Sequence, residues 1–124
     1  MLDHISIGVR DIAATKRFYD AALAPLGYSC LHQSEGGLGY GAKGVMLWIA
    51  KAKRPVQADP ESGLHISFEA PSRKAVDGFH AGALKAGGED NGKPGLRTDY
   101  GPKYYAAFAL DPDGYRLEAH TEKA

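Results

Sequence analysis

The chain has 124 residues, 44% of them hydrophobic and 24% charged, with 15 basic residues against 15 acidic ones. That length is one domain with a core large enough to need no disulfide or structural metal, and the balanced charge argues against nucleic acid or a membrane surface as partner. A single cysteine, Cys30, excludes an internal disulfide framework, and no signal-like or membrane-spanning run is visible, so the expected location is the cytoplasm.

Residues 2–9, LDHISIGV, alternate in the manner of a strand. Leu2, His4, Ser6 and Gly8 share one face, and Ile5, Ile7 and Val9 the other. Asp11 reads as an N-cap, followed at helical spacing by Ile12, Thr15, Phe18, Ala22, Leu23 and Leu26, with Gly27 as the stop. Strand-like runs follow at roughly 28–34, 37–42 and 45–51. The polar, proline-containing segment 53–62 reads as a linker.

The same grammar then recurs. At a constant offset of 61, His4, Ile5, Ser6, Ala14, Phe18, Ala22, Leu23 and Gly27 match His65, Ile66, Ser67, Ala75, Phe79, Ala83, Leu84 and Gly88. Ser72 caps the second helix, GG at 87–88 ends it, and strands are expected at roughly 88–91, 104–110 and 115–121. DPDG at 111–114 is a turn signal, with Pro112 in the second position and Gly114 free to take positive φ. GVMLWIA (44–50) aligns with GYRLEAH (114–120) at offset 70, so the second half carries an insertion of nine residues, placed within 91–103.

Such a duplication predicts one α+β domain, 1–124, of two βαβββ modules (1–52 and 63–124) whose curved mixed sheets surround a cleft. His4 and His65 occupy equivalent points on the cleft side. Glu118 lies on the last strand, where the first module has Trp48. Two imidazoles and a carboxylate suit a divalent first-row metal (Fe, Mn, Ni or Zn) with positions left open for substrate. His32, His80 and His120 are assigned as ordinary hydrogen-bonded or surface residues, since a lone histidine is more often that than a ligand. In the insertion, Arg97 suits an anionic substrate group and Tyr100 or Tyr105 a developing oxyanion. The opposing reading packs these tyrosines against the module.

Three stretches, LDHISIGVRDIAATKRFYDAALAPLGY, GLHISFEAPSRKAVDGFHAGALKAGG and YYAAFALDPDGYRLEAH, resemble the vicinal oxygen chelate superfamily, the glyoxalase/bleomycin-resistance/extradiol-dioxygenase group. The resemblance covers residues 2–121. It implies a paired-module fold, metal ligands at His4, His65 and Glu118, a small-molecule substrate, and a homodimer in which His4 meets the other two ligands across chains. It implies lyase or dioxygenase chemistry. Relatives resembling lactoylglutathione lyase carry a fourth ligand, often Glu, where this chain has Trp48, which speaks against a two-carboxylate proton shuttle. Drug-sequestering relatives bind their ligand without metal between aromatic walls, a role open to Trp48 and Tyr105.

Overall fold

Strand β1, Ile5–Val9, lies parallel to β4, Val45–Lys51, with Ile5 beside Leu47 and Ser6 beside Trp48. Helix α1, Ile12–Leu23, and a 3-10 turn, Ala24–Leu26, connect β1 to β2, Ser29–Ser34, and β3, Gly37–Gly41. The second module repeats this with β5, Ile66–Glu69, α2, Arg73–Lys85, β6, Glu89–Leu96, β7, Tyr105–Leu110, and β8, Arg116–Thr121. The strands form two four-stranded sheets in the orders β1-β4-β3-β2 and β5-β8-β7-β6, each with one parallel and two antiparallel pairings. This α+β arrangement is described by a computed structural model over residues 1–56 and 59–124. Of the linker expected at 53–62, positions 57 and 58 lie outside the described residues.

The duplication is realised pair for pair. Ile66 lies beside Leu117 and Ser67 beside Glu118, as Ile5 lies beside Leu47 and Ser6 beside Trp48. Both offsets read from the sequence, 61 for the first strands and 70 for the last, are therefore register relations. The nine-residue difference falls where β2 turns tightly into β3 but β6 and β7 are separated by the loop 97–104.

Helix starts follow from side-chain caps. The Asp11 carboxylate accepts from Ala14 N at 3.1 Å, and the Ser72 hydroxyl accepts from Ala75 N at 3.1 Å, each satisfying an amide that the first turn leaves unpaired. Gly27 at φ 89° and Gly87 at φ 100° take the left-handed stops. The Gly114 amide donates to Asp111 O at 2.9 Å across the DPDG turn.

Phe18, Tyr19 and Leu23 of α1 and Val76 and Phe79 of α2 are fully buried, together with Leu38, Leu47, Ile49 and Leu117 from the sheets. The helices pack on each other, α1 also on β2 and β3, and α2 on β6, β7 and β8. Each sheet thus has a helical side and an open side. The two halves are tied by Tyr115 OH donating to Gly8 O at 2.7 Å, Tyr28 OH to Glu69 O at 3.2 Å, and Arg10 to Asp113 Oδ1 at 3.0 Å.

One element departs from the sequence expectation. The strand after α2 does not end near 91 but runs to Leu96, through Gly92, Pro94 and Gly95. It sits at the edge of its sheet, where proline's missing N–H costs no ladder bond, and it absorbs the irregularity in register shifts between Asp90 and Gly92 and between Gly92 and Gly95.

Candidate metal centre

Alternation along β8 puts Leu117 and Ala119 into the core and turns Arg116, Glu118 and His120 to the open side. Glu118 is nonetheless only 3% exposed, because its neighbours on that side cover it. His65, just before β5, brings Nε2 to 2.8 Å from Glu118 Oε1. On the adjacent strand Phe108 pairs with Glu118, and its ring centroid lies 6.2 Å from that of His65. Arg97 folds back across this floor, with Cζ 5.4 Å from the Phe108 ring centroid and Nη2 donating to Lys93 O at 2.6 Å. Gly92 and Gly95 make the room: a Cβ at Gly92 would come within 2.9 Å of the Phe108 ring, and one at Gly95 within 3.2 Å of Arg97.

Tyr104 completes the cover. Its hydroxyl donates to Glu118 Oε2 at 2.5 Å, and its ring stacks on His120 at 4.3 Å and 15°. Burial, then the bond to Glu118, push its pKa well up, so the phenol stays protonated and acts as a donor. From the sequence, Tyr104 carries no assigned role and His120 is taken as an ordinary hydrogen-bonded or surface histidine. The spacing of Tyr104 from Glu118 carries no recognisable signal, and only the loop geometry brings them together.

The other candidates fall in separate places. Tyr105 pairs with Thr121 on the helical side, its hydroxyl donating to Asp77 of α2 at 2.6 Å and Arg73 lying over its ring. It therefore faces away from Phe108 and Glu118. Tyr100 is 68% exposed at the loop tip and packs edge-on against Tyr104 at 5.3 Å. Trp48 stands on the open side of the first sheet, 37% exposed, with its ring centroid 5.4 Å from that of His32 in a T-shaped contact. A Cβ at Gly39, opposite Trp48, would approach its ring to 2.9 Å, so the indole requires that glycine.

His4 lies just before β1, and its Nδ1 pairs with Asp3 Oδ2 at 2.7 Å. That leaves Nε2 as the nitrogen for a ligand, the orientation that a carboxylate partner fixes in metal-bound histidines. His4 borders one hollow with Met46, Ser67 and Phe68, while His65 borders another with Ser6, Tyr115 and Arg116. The two histidines thus occupy opposite ends of the seam between β1 and β5. Among the described residues no three His, Cys, Asp or Glu side chains converge within one chain.

The His65–Glu118 pair passes a simple fit test for a metal. Two ligands at about 2.1 Å from one ion stand about 3.0–3.4 Å apart, and these atoms, 2.8 Å apart across a hydrogen bond, are within a few tenths of an ångström of that. The donor set, imidazole nitrogen and carboxylate oxygen, suits the divalent first-row ions.

Two duplicated βαβββ modules carrying this pair on one open sheet define a protein of the vicinal oxygen chelate type. The chain belongs to the glyoxalase/bleomycin resistance protein/dioxygenase superfamily, whose family model matches residues 1–119. A Bacillus subtilis (strain 168) protein described as uncharacterized, YqjT, is 30% identical over 131 aligned positions, covering 94% of this chain and 95% of its own. A glyoxalase/bleomycin resistance protein from Albidiferax ferrireducens T118 superposes with a TM-score of 0.80 at 28% identity, covering 94% of each chain. The fosfomycin resistance protein FosX from Listeria monocytogenes shares the fold, with a TM-score of 0.71 at 18% identity, covering 97% of this chain and 91% of its own. The superfamily includes metal-dependent enzymes and fosfomycin resistance proteins. Among the described residues no helix is long and apolar enough to cross a membrane.

Proposed function

We propose that this protein is a metal-dependent cytoplasmic enzyme of the glyoxalase/dioxygenase type, acting as a homodimer on a small molecule that presents two neighbouring oxygens. The observation that carries the reading is the buried Glu118 facing His65 at 2.8 Å on an open sheet face. A carboxylate buried to this extent is expensive unless paired, and here one pairing partner is itself a metal-ligating group.

His65 and Glu118 hold a divalent ion from one chain, and His4 of the second chain supplies the third ligand. The bound ion contributes Lewis acidity toward the substrate's oxygens. The remaining work falls to the chain's own side chains. Phe108 floors the site, and Arg97, lying over it, receives an anionic substrate group. Trp48, on the open side of the first sheet, walls the opposite side, and Tyr100 donates to a substrate oxygen from the tip of the loop 97–104. Tyr105, engaged with Asp77, supports the helix contact rather than the substrate.

The test is metal content. Protein purified without chelator and reconstituted with Fe(II), Mn(II), Ni(II) or Zn(II) takes up close to one ion per chain, and His65→Ala abolishes uptake. Uptake of none of the four overturns the reading. The chain has one tryptophan, so quenching of Trp48 fluorescence by flat aromatic compounds, insensitive to chelator, would then support metal-free ligand sequestration instead.

A further inference from the structure

Glu118 is held at both oxygens, and the second hold is not explained by a set of two histidines and one carboxylate. Oε1 faces His65, whereas Oε2 accepts the Tyr104 hydroxyl at 2.5 Å. Tyr104 is itself fixed from several directions. Its ring stacks on His120 and makes a T-shaped contact with Tyr100, its amide donates to Gly101 O at 3.2 Å, and its carbonyl accepts from Arg97 N at 2.7 Å. The last two bonds close the loop 97–104, the segment that the first module lacks. The insertion thus brings to the second sheet a hydroxyl aimed at the carboxylate oxygen that turns away from His65.

We infer that Tyr104 is a positioning residue that pins Glu118 through Oε2, so that Oε1 alone is presented to the metal. The inference rests on the metal reading above and deepens it. A carboxylate binds a cation through one oxygen or through both. A short bond from a neutral hydroxyl to a charged oxygen is among the stronger hydrogen bonds, and it opposes the swing that a second metal–oxygen bond requires. Glu118 is 3% exposed, so water has little access to replace the phenol. Holding the carboxylate to one oxygen keeps a coordination position open, and a substrate with two neighbouring oxygens needs two such positions. Hydrogen-bonded carboxylate ligands are the general rule at metal sites, and losing the outer partner typically weakens binding about 10- to 100-fold.

Cobalt(II) titration of wild-type, Tyr104→Phe and His65→Ala proteins, followed by visible absorption, tests this. Phe keeps the ring stack on His120 and removes only the hydroxyl. The expected result for Tyr104→Phe is binding weaker by about 10- to 100-fold, together with a weaker, altered absorption band per bound ion as the released Oε2 joins the coordination sphere. A variant that binds less tightly with an unchanged spectrum behaves as a packing mutant and overturns the inference while leaving the metal reading standing. An unchanged affinity and spectrum overturns it equally. Wild-type protein that gives no cobalt signal, or a signal that survives His65→Ala, overturns the metal reading and this inference together.

Discussion

Asp111 keeps a carboxylate at 4% exposure by filling it with donors. Oδ1 accepts the amides of Asp113 and Tyr115, each at 2.9 Å, and Oδ2 accepts the Tyr19 hydroxyl at 2.6 Å. Burial pushes the Asp111 pKa up, and these bonds work against that shift, the Tyr19 bond foremost. A raised folded-state pKa means that ionised Asp111 disfavours folding: the penalty is absent below the unfolded value and grows as pH rises through the folded one. Tyr19→Phe removes the main compensation, so it is expected to destabilise by about 1–3 kcal/mol at neutral pH. The gap from wild type should narrow as pH falls and Asp111 protonates. Paired urea melts across the acid range measure this, and a gap independent of pH would show that Asp111 is not the group affected. The DPDG turn was legible in the sequence because its residue types dictate local backbone geometry. Its anchor Tyr19, 92 positions upstream, was not, since nothing local links the two.

The two helices meet at small residues. A Cβ placed on Gly82 of α2 would fall inside the contact distance of the Ala21 carbonyl oxygen of α1, a backbone atom that cannot rotate away. Replacing a helical glycine by alanine ordinarily gains up to about 1 kcal/mol. Here the clash decides the sign, because forcing packed elements apart costs about 1–3 kcal/mol. Gly82→Ala is therefore expected to lower the denaturation midpoint, and a raised midpoint would mean that the helix pair separates freely. Element identity was legible where hydrophobic period and caps agree, as for both helices. It failed at β6, where Gly92, Pro94 and Gly95 read as a loop and edge position overrides propensity. Nor did it separate Tyr105, offered as a substrate-side residue, from its neighbour Tyr104, because strand register alone sends the Tyr105 ring to α2 and leaves Tyr104 with Glu118.

At the scale of the whole molecule, the duplication explains both the fold and the incompleteness of the site. Each module has an aromatic platform on its open side, with a glycine on a neighbouring strand to admit it: Trp48 with Gly39, Phe108 with Gly92. The platforms sit one strand apart, so the position occupied by Trp48 in one module is free for Glu118 in the other. Because α1 packs on α2 at the centre, the open sides stay uncovered within the chain, where the proposed homodimer would place its second chain, and the His4 end of the seam is held away from the His65 end. Closed two-fold pairing is the commonest assembly of soluble chains, and it gives each dimer two equivalent sites. Its consequence is complementation. His4→Ala and His65→Ala proteins each lack one ligand in every site and are expected to bind no metal alone. Mixed in equal amounts with subunit exchange, about half the dimers become heterodimers, each with one complete site, so about a quarter of the wild-type metal capacity returns. With one of the two variants labelled with 15N, native mass spectrometry of the mixture counts the heterodimers while metal analysis counts the sites. Heterodimers without recovered metal would show that His4 does not act across the interface, and a dimer-free mixture would remove the shared site altogether.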